Sequence, residues 1–85
     1  MNLVTVEIPT ALRGFAGNKD AVQLEGATVG DLLQRLGSQY PQLAKHIFDE
    51  QGQLRNFVNV YVNDDDIRHL QKEQTPVGTK DVISI

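Results

Sequence analysis

Only one long stretch of this chain has the spacing of a helix, and segments that alternate every second residue flank it. In residues 26–40, GATVGDLLQRLGSQY, the apolar positions Val29, Leu32, Leu33, Leu36 and Tyr40 recur at helical intervals. Thr28 suits an N-cap, and Asp31 stands where a capping box places an acid, near the positive end of the helix dipole. Gly37 lies inside the pattern at a cost of about 1 kcal/mol relative to Ala, and nothing in the sequence accounts for it. Pro41 opens a second, shorter helical piece, PQLAKHIF, with Leu43 and Ile47 turned inward. One main helix among strands can cover only one face of a sheet. The other face is left uncovered.

The strands read as follows. In residues 3–8, LVTVEI, the side chains of Val4, Val6 and Ile8 share one side, and Pro9 ends the run. Residues 13–20, RGFAGNKD, read as a loop or hairpin connection. In AVQLE, residues 21–25, Val22 and Leu24 point inward, and the two runs pair as an antiparallel hairpin. DEQGQ, residues 49–53, reads as a turn. FVNVYV, residues 57–62, places Val58, Val60 and Val62 on one side and Phe57, Asn59 and Tyr61 on the other. NDDD supplies turn formers, and Ile67 begins a short extended piece. After an irregular polar stretch, DVISI alternates again, with Ile83 and Ile85 on one side and Val82 on the other. The expectation is a two-layer α+β domain over residues 1–85, a mixed sheet of four to five strands with one helix packed on one face. Phe57, Asn59, Tyr61 and Val82 lie on the uncovered side.

Composition removes several kinds of chemistry. The 85 residues contain no cysteine. Disulfides, thiolate zinc sites, iron–sulfur clusters and cysteine nucleophiles are therefore excluded, and a reducing cytosol is the expected compartment. Net charge is −3, with acids and bases intermixed, so no basic face points to nucleic acid. No apolar run reaches the roughly 18 residues that span a membrane, and the first residues lack a signal-peptide pattern. A chain of this size buries only roughly 60% of the surface its unfolded form exposes, enough for one core.

Individual side chains give weak catalytic signals. Asp64, Asp65 and Asp66 are consecutive and point different ways in a tight turn, whereas a calcium loop needs acids at alternating positions, a glycine and a distal Glu. His46 and His69 lack metalloprotease spacing. Ser38 and Ser84 have no nucleophile-elbow context. Gly14 and Gly17, with Arg13 and Lys19, match no phosphate loop. Phe15 either folds back onto the domain or meets a partner. The aromatic side of residues 57–61 is either ordinary cross-strand pairing or a docking surface, with Arg55, Arg68 and Lys80 as flanking cations.

The string FVNVYVNDDDIR, with GATVGDLLQRLGSQYPQLAKHIFDEQGQLR before it and TPVGTKDVISI after, resembles the ubiquitin-like sulfur-carrier proteins over nearly the whole chain. These are relatives of the small subunit of molybdopterin synthase and of the thiamine sulfur carrier. The similarity is greatest to the branch that serves cysteine synthesis. The resemblance implies a ubiquitin-like β-grasp and a protein cosubstrate rather than an enzyme, with no catalytic side chain and no metal or cofactor of its own. An adenylyltransferase related to ubiquitin activators, carrying ATP and Mg²⁺, joins the terminal carboxylate to AMP. Sulfide then leaves a thiocarboxylate for a sulfur-acceptor enzyme. The cysteine branch implies a pyridoxal-phosphate cysteine synthase as acceptor; molybdopterin and thiamine pathways stay open. Family members end in two glycines, which lack a Cβ and can thread a narrow channel. Here Ile85 is the last residue and the glycine pair is absent. Two expectations follow: a carrier cut short of its tail, or a natural relative that kept the fold without the chemistry. The rival function is an interaction module that binds a partner through the uncovered face and is never adenylated.

Overall fold

The computed structural model describes residues 3–56 and 58–85. Five strands form one mixed sheet in the order β2-β1-β5-β3-β4. They are β1 (Leu3–Glu7), β2 (Ala21–Glu25), β3 (Tyr61–Val62), β4 (Asp65–Asp66) and β5 (Val82–Ser84). β1 and β2 form the expected antiparallel hairpin. β5 enters between β1 and β3, parallel to the first and antiparallel to the second. The last strand of the chain therefore lies in the middle of the sheet.

The main helix α1 spans Val29–Gln39, and its apolar stripe of Val29, Leu32, Leu33 and Leu36 is buried. The cap is as the residue types imply. The Thr28 hydroxyl accepts from the Asp31 backbone N–H at 3.2 Å, and the Asp31 carboxylate accepts from the Ala27 N–H at 3.1 Å. Tyr40 precedes Pro41, which disfavours helical backbone there, and α1 stops at Gln39. α2 (Pro41–Ile47) then buries Leu43 and Ile47. Gly37 now has a reason. A Cβ at this position would lie 3.2 Å from the Ala44 Cβ and 3.7 Å from a Phe48 ring carbon, so the bare backbone lets α2 pack closely on α1.

The core joins α1 and α2 to the inward sides of the strands: Val4, Val6, Ile8, Val22, Leu24, Val60, Val62 and Ile83. This is the ubiquitin-like β-grasp that the resemblance implies. The segment after β4 crosses the N-terminal end of α1, where Thr75 C=O accepts from Val29 N–H and Ala27 C=O accepts from Val77 N–H, each at 3.0 Å. Among the described residues no helix is long and apolar enough to cross a membrane.

Four local expectations are corrected. The connection after β1 is not a plain loop. Residues Thr10–Phe15 form a 3₁₀ turn, held to the residue just after β1 by the Arg13 Nε, which donates to Ile8 C=O at 3.0 Å. Ala16 behind it is wholly buried. Of the strand expected over residues 57–62, the described residues pair in the ladder at Tyr61 and Val62, while Val58 N–H donates to Arg55 C=O instead. Ile67 does not begin an extended piece: the short strand β4 precedes it, and Ile67–His69 are a 3₁₀ turn. The polar stretch that follows contains a further 3₁₀ turn at Lys72–Gln74.

Candidate functional site

Beside an outer Leu3–Glu25 pair, the strand register places two longer rows of side chains on the face that α1 does not cover. Across one row, Gln23, Thr5 and Val82 are neighbours. Across the next stand Ala21, Glu7, Ser84, Tyr61 and Asp66. The second row is tied together by polar contacts. Ser84 Oγ donates to the Glu7 carboxylate at 3.1 Å. Arg68 reaches over from the turn after β4, where its Nη2 donates to Asp66 Oδ2 at 2.9 Å and also to the Asn59 side-chain carbonyl. Those hydrogen bonds from the Arg68 side chain and backbone hold the Asp66 carboxyl below its ordinary range, and Asp66 in turn raises Arg68. The middle of the face is therefore more polar than the sequence suggested.

The apolar surface lies at the end of the sheet, where side chains from both sides of the strands meet. A groove of ≈ 380 Å³ is lined by Pro9, Ala11, Leu12, His46, Val58, Asn59, Tyr61 and Ile85. The 3₁₀ turn supplies one wall, the approach to β3 the other, and the end of β5 the floor. Phe15 closes the turn side by stacking on His46, ring centres 4.3 Å apart. It is still 38% exposed.

The structure brings Asn59, Tyr61 and Ile85 together in this groove. Val82 is half-buried one row away, beside Thr5, and is not part of the groove. Phe57 lies outside the described residues. Pro9, Ala11 and Leu12 were missed, since no local pattern marks residues 10–15 as a coil that forms a wall. Arg68 was named only as a flank, yet it organises Asn59 and Asp66. The remaining candidates do not assemble. Asp66 is occupied by Arg68, and Ser84 donates to a carboxylate rather than to a histidine. Among the described residues no three His, Asp or Glu side chains are placed to hold a metal ion. A sheet with an apolar notch where its central strand ends can dock a protein surface and deliver whatever chain follows that strand.

Comparison with known proteins points the same way. Residues 6–85 match the model of the ThiS family. The sulfur carrier protein CysO of Mycobacterium tuberculosis (strain ATCC 25618 / H37Rv) is 36% identical over 84 residues, covering 96% of this chain and 90% of that protein. The crystal structure of M. tuberculosis CysO superposes with a TM-score of 0.84 at 35% identity, covering 95% of this chain and 93% of that one. A chain of the Amycolatopsis orientalis BexX/CysO complex gives 0.85 at 34% identity, with 95% and 90% covered. The small archaeal modifier protein 1 of Methanosarcina acetivorans gives 0.86 at 33% identity, with 99% and 90% covered.

Proposed function

This chain belongs to the ThiS family, and from that premise we propose that it is a sulfur carrier, a protein cosubstrate that partner enzymes load and unload. The observation that carries the proposal is the 36% identity to sulfur carrier CysO across 96% of the chain. The geometry supports it, because the central strand β5 leads into Ile85, which lines an apolar groove that a partner can grip.

The reacting group is the carboxylate of a glycine pair carried beyond Ile85, clear of the sheet. An activating enzyme of the ubiquitin-activator type holds ATP and Mg²⁺. The carboxylate oxygen attacks the α-phosphorus, the bond to the β-phosphate breaks, and pyrophosphate leaves. A carboxylate is a poor electrophile, and the resulting acyl adenylate has AMP as its leaving group. Hydrosulfide adds to the carbonyl carbon, AMP departs, and a proton is released, leaving a thiocarboxylate. A sulfur-acceptor enzyme consumes it, a pyridoxal-phosphate cysteine synthase by analogy with the cysteine branch. Asn59, Tyr61 and Ile85 mark the docking end of the face in this reading, with Val82 at its margin.

The activation step is tested by ATP–pyrophosphate exchange on a version of the chain that carries a glycine pair after Ile85, mixed with an activating enzyme of this family. Carrier-dependent exchange is expected, and removal of the two glycines abolishes it. A glycine-bearing chain that binds the enzyme yet supports no exchange is an interaction module instead.

A further inference from the structure

One residue, Asn63, is hydrogen-bonded to both backbone groups of Val82, where β5 begins. Asn63 sits in the turn after β3 with φ 57°, a left-handed backbone that Asn tolerates better than most residues. Its backbone N–H donates to Val82 C=O at 2.7 Å. Its side-chain Oδ1 accepts from Val82 N–H at 3.1 Å. Its Nδ2 donates to Asp81 Oδ1 at 3.1 Å, and Asp81 Oδ2 accepts from Gly78 N–H at 2.8 Å. Both backbone groups of Val82 are thus taken by one residue. The side chain replaces the partner that β5 loses when β3 turns away toward β4.

The clamp reads register. It fits a backbone N–H immediately preceded by a carboxylate, a combination that Asp81 and Val82 supply and that a strand shifted by one residue does not. Such a shift would also turn the fully buried Ile83 toward solvent. β5 has only three residues, paired with β1 on one side and β3 on the other, and the clamp adds to that ladder at its first residue.

We propose that Asn63 is the positioning residue for the carrier's terminus, fixing the register of β5 and so the point at which the chain leaves the sheet past Ile85. The proposal rests on the sulfur-carrier reading for its consequence and on the hydrogen bonds above for its mechanism.

Asn63→Asp is the informative change. Asp tolerates the same backbone and can still accept from Val82 N–H, but it sets a second carboxylate against Asp81. The double variant N63D/D81N restores a donor facing an acceptor, with the amide now on residue 81. In the glycine-bearing chain, N63D is expected to lower kcat for ATP–pyrophosphate exchange about ten- to a hundredfold, as misplacement of a reacting group does. KM for the carrier stays near its parent value, and N63D/D81N recovers most of the rate. In the 85-residue chain, amide hydrogen exchange in β5 accelerates in N63D while α1 stays protected, and the double variant reverses this. An unchanged kcat in N63D, a loss that D81N does not repair, or exchange that rises equally in α1 overturns the proposal. If the parent supports no ATP–pyrophosphate exchange, the carrier reading fails, and the amide-exchange pair alone upholds or overturns the clamp.

Discussion

Leu32→Ala lowers the free energy of unfolding by about 2–5 kcal/mol, the range for emptying a buried leucine site. Leu32 has no exposed surface. It lies in the middle of the α1 stripe, between the helix and the even-numbered side chains of β1 and β2. The site cannot collapse easily. A Cβ at Gly26 would lie 2.9 Å from the Leu32 Cδ2, so backbone already touches the leucine on that side. Small domains have about 5–15 kcal/mol to lose, so this one substitution removes a large share. It is read as a lower urea midpoint at unchanged slope. Leu70, which is 42% exposed, is the control, and Leu70→Ala stays within about 0.5 kcal/mol of the parent. Equal losses at both positions would mean that α1 does not pack as described.

Tyr61→Ala weakens binding to the activating enzyme about 30-fold, the equivalent of a 2 kcal/mol hot spot. The reason is its place. Tyr61 is half-buried, its ring lines the apolar groove, and its backbone carries the ladder between β5 and β4. Truncation removes apolar contact at the docking end but leaves the ladder. The cost to folding is the cross-strand contribution alone, about 0.2–1 kcal/mol. Titration calorimetry against the activating enzyme, with a urea melt of the same variant, separates the two effects. Val82→Ala, outside the groove, is expected to weaken binding less than Tyr61→Ala. An unchanged dissociation constant for Tyr61→Ala removes the groove from the docking surface.

The parts of this fold that were legible in the sequence are those governed by one local rule. Val4, Val6 and Ile8 alternate, as do Val22 and Leu24, and the hairpin follows. Val29, Leu32, Leu33 and Leu36 repeat at helical spacing, and Thr28 with Asp31 announces the start of the helix. The uncovered sheet face followed from having one main helix. What escaped depends on contacts between distant segments. Gly37 looked like a defect in the helix until Ala44 of α2 was found against it. The alternation of residues 58–62 promised a longer strand, but Arg55 captures the Val58 amide, and the described residues pair in the ladder at Tyr61 and Val62. The groove draws its lining from the 3₁₀ turn, α2, the approach to β3 and the end of β5, and no single window of sequence contains it. Asn63 was visible as a turn former, but its hold on Val82 joins residues 19 apart in the chain and appears only in three dimensions.

The most direct test is the mass of the carrier's terminus. A chain bearing the glycine pair is incubated with an activating enzyme of the proposed type, ATP, Mg²⁺ and sulfide, and the intact protein is weighed. A sulfur carrier gains the mass difference of one sulfur replacing one oxygen, located on the terminal glycine by fragmentation and absent when ATP is omitted. A terminus that keeps both carboxylate oxygens, although the enzyme binds the chain and cleaves ATP in its presence, contradicts sulfur carriage.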